Sequence, residues 1–343
     1  MENLTEKNDT SWLDNLRVVA TVAVVLLHVT APFALKFGSI SNSNWWIANS
    51  LDSLVRFCVP VFVMLTGALL LPRTHTLESY LKKRVVRIIL PFLFWSAIYI
   101  AHYFSRLTHN FEFTISSVSQ IIGNKLFYGA SYHLWYIYMI IGIYLILPII
   151  STWVRNASEK EIVYFLALWL FSVIISNSLF KDYVPDFNLK YFSGFIGYLV
   201  LGYYLSTKSF NKKTAVILFL ASVAVTAVGT YYFSTSKGKL STDYYQYFSL
   251  PVIMASSSIF LAFKNISLAN NNILKVRNFI NRNSFGVYFS HILVLFYLNK
   301  NGFHASIFGL GIGIPLLTIL CLAISLLLVY LLKKVPVLRD LVG

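Results

Sequence analysis

Arg17 and His28 are the first residues in this chain that could do chemistry together. They lie in residues 12–31, WLDNLRVVATVAVVLLHVTA, with only Val, Ala, Leu and one Thr between them. On a helix their spacing is about three turns and about 16 Å of rise, so both side chains point the same way. That rise is roughly half the thickness of a bilayer's hydrocarbon core. Ionisable groups at such depth are costly and mark a polar interior or a functional path. An imidazole can take a proton from an attacking hydroxyl, and a guanidinium can hold a phosphate or polarise a carbonyl. Asp14, one turn before Arg17, is placed to orient it. The plainer readings are a snorkelling interfacial arginine and a hydrogen-bonded packing histidine. The shared face favours a site entered from the Arg17 side with chemistry at His28.

Further candidates follow along the chain. Asp52 and Arg56 are four apart and can pair on one helix face, either as a structural pair at the outer membrane boundary or as support for a site. Pro60 should kink that helix, and Gly67 permits close packing. Arg84 and Arg87 share a face if helical and join Lys82 and Lys83 in a dense basic cluster. Such a cluster attracts anionic lipid and signals topology, or docks a phosphorylated ligand. His133 opens SYHLWYIYMIIGIYLILP beside Trp135, where an interfacial aromatic belt competes with a sugar-contacting surface. His291 in NSFGVYFSHILVLF repeats the intramembrane argument of His28 without an aligned arginine. No metal is expected. Cys58 and Cys321 fall singly in apolar stretches, and no His-x-x-x-His or Cys-x-x-Cys pair occurs. Gly-x-Ser-x-Gly, Walker and dinucleotide glycine patterns are also missing, which argues against a pump with its own ATPase site.

The elements that must position these residues are membrane helices. Of 343 residues 57% are hydrophobic and 12% charged, with mean hydropathy +0.68. That predicts an all-α polytopic membrane protein. The net charge of +15 is scattered in short segments between apolar runs, so nucleic acid is not expected. Ten spans are expected near 12–35, 48–71, 86–105, 133–153, 160–180, 191–206, 213–233, 244–263, 284–299 and 306–332. The first reads as a retained span, not a signal peptide. Glycines 194, 197 and 202 suit close packing of the sixth span. With the N-terminus inside, 19 of the 28 Lys and Arg face inward, so both termini are expected to be cytoplasmic. Residues 115–127 have helical apolar spacing and read as a helix lying on the outer surface. A single membrane-embedded domain over 1–343, with no appended soluble domain, is the simplest organisation.

The chain resembles a known family at several of these positions. LDNLRVVATVAVVLLH is similar to the opening signature of acyltransferase family 3, bacterial membrane O-acyltransferases, which has an arginine and a histidine with ten residues between them, as Arg17 and His28 stand here. RFCVPVFVMLTGALL resembles the family's Arg-x-x-Val-Pro-x-Phe-x-Met-x-Ser-Gly segment, with Thr66 where serine is usual. RVVR at Arg84 and Arg87 resembles its Arg-x-x-Arg element, and YHLWYIY and NSFGVYFSH resemble later landmarks. The layout is closest to short, ten-helix members of the enterobacterial common antigen O-acetyltransferase type. The resemblance implies acyl-CoA, usually acetyl-CoA, as cytosolic co-substrate, with no permanently bound cofactor. It implies a hydroxyl of a cell-surface glycan or lipid-linked precursor as acceptor, and a multi-pass place in the bacterial plasma membrane among its lipids. Arg84 and Arg87 would hold CoA phosphates, and the pantetheine arm would pass Arg17 toward His28. His28 would act as general base or be transiently acylated. Asp14, Asp52, Arg56, His133, Trp135 and His291 would support the site or the acceptor side. A homodimer or docking to glycan-synthesis proteins stays open. Two other functions compete: an exporter of surface polysaccharide, which needs a continuous polar path, and a partner of a glycan synthase that has lost activity. The presence together of Arg17, His28, Arg84 and Arg87 argues against the latter.

Overall fold

The computed structural model describes residues 11–74, 77–80, 86–107, 113–176, 194–264, 266, 268 and 270–343, apart from the side chains of 78 and 79. Every regular element among them is helical. In chain order these are α1 Ser11–Ala34, α2 Asn42–Val55, α3 Cys58–Leu70, the single turn α4 Leu77–Tyr80, α5 Val86–Phe104, α6 Ile115–Tyr128 and α7 Trp135–Asn156. They continue with α8 Glu159–Ile175, α9 Ile196–Thr207, α10 Lys212–Lys237, α11 Leu250–Phe263, α12 Asn271–Lys300 and α13 Leu310–Lys333. Short 3-10 turns at Tyr132–Leu134 and Asp243–Tyr245 lead into α7 and α11.

Seven of these stretches are long and apolar enough to cross a bilayer: α1, α2 with α3, α5, α7, α10, α11 and α13, where α7 and α11 are counted with their leading turns. The other three expected spans are also helices but differ in build. α8 has 17 residues and α9 only 12. Parts of both expected spans, 177–180 and 191–193, lie outside the described residues. α12 has 30 residues and starts 13 positions before the expected 284. Its first half, NNILKVRNFINRN, is polar but free of Pro and Gly, and Asn270 caps it through its side chain. Hydropathy marks where a helix enters lipid, not where it begins.

The second expected span, 48–71, is two helices. Ser41 accepts from the Asn44 amide and starts α2 at Asn42. The chain then breaks at Arg56–Phe57, and α3 starts at Cys58. The expected kink at Pro60 is therefore a helix start. Pro60 sits in the first turn of α3, where a missing N–H leaves no helical bond unmade.

α1 is the hub, packing against α2, α3, α11, α12 and α13. α3 and α9 pack especially closely. A Cβ on Gly67 would meet the Leu199 carbonyl oxygen at 1.9 Å, and one on Gly202 would meet that of Met64 at 2.2 Å. Small residues let backbones touch where lipid offers no hydrophobic drive between helices. Asn49 of α2 donates to the Ala227 carbonyl of α10 at 3.0 Å and accepts from Tyr245 Oη at 2.6 Å, which ties the α10–α11 hairpin to α2. Tyr99 of α5 donates to the Phe289 carbonyl of α12 at 2.7 Å. The surface helix expected at 115–127 is α6, capped by Thr114 and Ser117 and without a buried residue.

Candidate active site

Two adjoining spaces run along α1. The larger, about 330 Å³, is lined by Arg17, Thr21, Val24 and Val25 of α1, by Arg87 and Ile88 of α5, and by residues of α3, α7 and α12 that include His291. The smaller, about 40 Å³, is lined by Val24, Leu27 and His28 of α1 together with Val59, Phe62, His133, Trp135, Tyr136, Tyr247 and Tyr288. Arg17 is thus at one end of the path and His28 at the other. The uniform helix between them, Val, Ala, Leu and Thr, puts both on the lined side. Asp14 accepts from Arg17 Nη1 at 2.8 Å, so the guanidinium is tethered one turn back along its own helix. That leaves its remaining N–H groups for a ligand.

His28 is one of three imidazoles that meet where α1, α12 and the turn before α7 come together. Ring centroids are 5.1 Å apart for His28 and His291, 5.3 Å for His133 and His291, and 6.3 Å for His28 and His133. Each Nδ1 faces a local partner. For His28 it is Tyr132 Oη at 3.3 Å, for His133 Ser131 Oγ at 3.1 Å, and for His291 the Val287 carbonyl oxygen at 3.0 Å. A carbonyl only accepts, so neutral His291 carries its proton on Nδ1 and leaves Nε2 bare. The Nε2 atoms of His133 and His291 are buried without a partner. Among the described residues no group of three or more His, Cys, Asp or Glu, this one included, is arranged to hold a metal ion.

The surroundings are aromatic. Tyr288 donates to the His133 carbonyl oxygen at 2.6 Å, fixing the turn that carries the histidine. Trp135 faces Tyr247 and Phe195 at 5.8 and 6.0 Å between centroids. Asp52 accepts from Arg56 Nε at 2.6 Å and again from Nη2. Asp52 is fully buried, and the guanidinium lies 4.2 Å over the Tyr245 ring. Protein encloses this pair, with the Asp52 side chain fully buried.

These positions fit a membrane enzyme, and the comparison with known families decides which kind. The acyltransferase-domain family matches residues 10–334. The chain belongs to acyltransferase family 3. No curated protein and no solved structure matches it.

Of the residues expected to serve this acyltransferase, Arg17 and Arg87 line one cavity, and His28, His133 and Trp135 line the chamber next to it. His291 lines the larger cavity together with Arg17 and Arg87. Arg84 lies outside the described residues. Sequence reasoning missed Tyr132, Phe62, Tyr136 and Tyr288. Tyr132 directly precedes His133, and Phe62 stands six positions after Arg56, but neither spacing indicates a contact with α1.

Proposed function

We propose that the protein moves an acyl group, acetyl above all, from cytosolic acyl-CoA to a hydroxyl of a cell-surface glycan or its lipid-linked precursor, the enterobacterial common antigen type being one instance. The reading places it in the bacterial plasma membrane with ten spans and both termini in the cytoplasm. The observation that carries it is the adjacency of the two spaces, one bearing Arg17 and Arg87 and the narrower one bearing His28.

In this reading Arg17 and Arg87, joined by Arg84, hold the CoA phosphates, and the pantetheine arm fills the larger cavity. The thioester carbonyl reaches the chamber. His28 Nε2 takes the proton of the acceptor hydroxyl while Nδ1–H is held by Tyr132 Oη. The acceptor oxygen bonds to the carbonyl carbon, the C–S bond breaks, and the thiolate recovers a proton from the imidazole cluster. His291, with Nε2 bare beside the donor cavity, is placed to carry that proton from the acceptor side to the sulfur. Direct attack uses each residue where it stands, so it is preferred over a transient acyl-histidine. Export of polysaccharide needs a conduit wide enough for a sugar chain, and the fall from about 330 to about 40 Å³ at His28 counts against it.

The test is acetyl-CoA binding to the purified protein. Wild type is expected to bind saturably. Arg17→Ala should weaken binding about tenfold or more, the worth of a charge-assisted hydrogen bond. His28→Ala should bind but release no CoA when membranes containing the glycan are supplied. Absence of binding by folded wild type overturns the reading.

A further inference from the structure

The larger cavity and the His28 chamber share four lining side chains: Val24, Phe62, Tyr136 and Tyr288. They form a collar where one space gives way to the other. Phe62 and Tyr136 have ring centroids 6.4 Å apart, and Tyr136 and Tyr288 are 5.3 Å apart. The collar is backed by fixed elements. Val24 is buried on the hub helix α1, Tyr288 is held by its bond to the His133 carbonyl, and Phe62 rides on α3, which Gly67 and Gly202 clamp against α9.

Volume on either side of this collar separates the parts of an acyl-CoA. A water-sized group takes about 10–15 Å³ of such space, so the chamber's 40 Å³ holds roughly three non-hydrogen groups. An acetyl group is a methyl, a carbonyl carbon and a carbonyl oxygen. On the same measure the 330 Å³ cavity, with room for roughly 22–33 groups, takes a pantetheine arm of roughly twenty non-hydrogen atoms. We propose that the collar and chamber restrict the donor to two-carbon acyl groups, and that Phe62 sets the limit. This inference rests on the acyl-transfer reading. Phe62 is the member whose loss makes room at least expense: its ring makes no hydrogen bond, whereas Tyr288 secures the histidine turn. Removing the ring joins chamber and cavity into one space that a longer chain can enter.

The experiment measures dissociation constants of free CoA, acetyl-CoA and butyryl-CoA for the full-length protein in detergent, wild type against Phe62→Ala. Wild type is expected to bind butyryl-CoA about tenfold or more weaker than acetyl-CoA, the scale of an unaccommodated methylene in a close-fitting pocket. Phe62→Ala should bring the two within about threefold, and its free-CoA affinity, measured alongside, separates lost contact with the arm from lost acyl discrimination. Phe62→Leu serves if the alanine variant does not fold, and should give an intermediate ratio. Equal affinities in wild type, or the same discrimination in the variant, overturn the inference while free-CoA binding leaves the parent reading standing. Failure of folded wild type to bind even free CoA removes the parent reading and this inference together.

Discussion

Alanine in place of Gly202 should loosen the frame around the site, and the structure gives the size of the effect. A Cβ there meets the Met64 carbonyl oxygen at 2.2 Å and its Cα at 2.4 Å. To restore 3.4 Å of ordinary contact to that oxygen, α9 and α3 must part by about 1.2 Å. The opposing atoms are backbone, so no rotamer change relieves them. Overpacking of this kind costs about 1–3 kcal/mol, against a helix-propensity gain of about 1 kcal/mol for replacing glycine. The net loss is about 2 kcal/mol at the upper end, and a melt in detergent should fall by several degrees. Gly142 on α7 is the internal control, with nothing within 4 Å of its added Cβ, so Gly142→Ala keeps only the propensity gain. α3 carries Phe62, Leu65 and Thr66 into the larger cavity, so on the acyl-transfer proposal acetyl-CoA affinity should fall with Gly202→Ala and hold with Gly142→Ala. Met64→Ala should not rescue Gly202→Ala. At Gly197 the clash is with the Trp169 ring at 2.1 Å, so there a smaller Trp169 side chain should relieve Gly197→Ala. Equal melting of the Gly202 and Gly142 variants would refute the packing argument.

Two further outcomes are expected. His28→Ala should lower kcat by about 10²–10⁴ with donor affinity kept, whereas Tyr132→Phe, which removes one neutral hydrogen bond to Nδ1, should lower it by about two- to tenfold; equal losses, or none at His28, would count against His28 as base. Asp52→Asn leaves the buried Arg56 charge without its counter-ion and should destabilise by about 3–5 kcal/mol, read as lost thermal stability; adding Arg56→Met should recover part of it, and a double variant as unstable as the single would show that the pair is not the cause.

The long apolar runs were legible because a chain crossing lipid must satisfy its own backbone, and a helix is the simple way to do so. α1, α5, α7 and α10 accordingly start and stop within a few residues of expectation. The departures have a common cause: hydropathy sees lipid exposure and nothing else. α2 and α3 together still form the single crossing stretch expected, and the break at Arg56–Phe57 leaves no mark in hydropathy. Hydropathy also missed the first half of α12, because that half is helical but polar.

The site was legible in proportion to how local its geometry is. Arg17 and His28 share one helix, so their common face follows from their spacing alone. Arg87 joins that path only because α5 brings it to the cavity that Arg17 lines. His133 looked like part of an interfacial belt since its neighbours are Tyr132, Trp135 and Tyr136. Nothing in SYHLWYIY tells which ring turns inward, and the placement of His133 depends on Tyr288, 155 positions away, gripping its carbonyl. His291 looked isolated for the same reason: its companion was not an arginine on its own helix but His28 on another. Sequence could nominate each imidazole as an intramembrane ionisable group worth explaining. Only packing of α12 and the α7 turn against α1 could show that the three meet in one place.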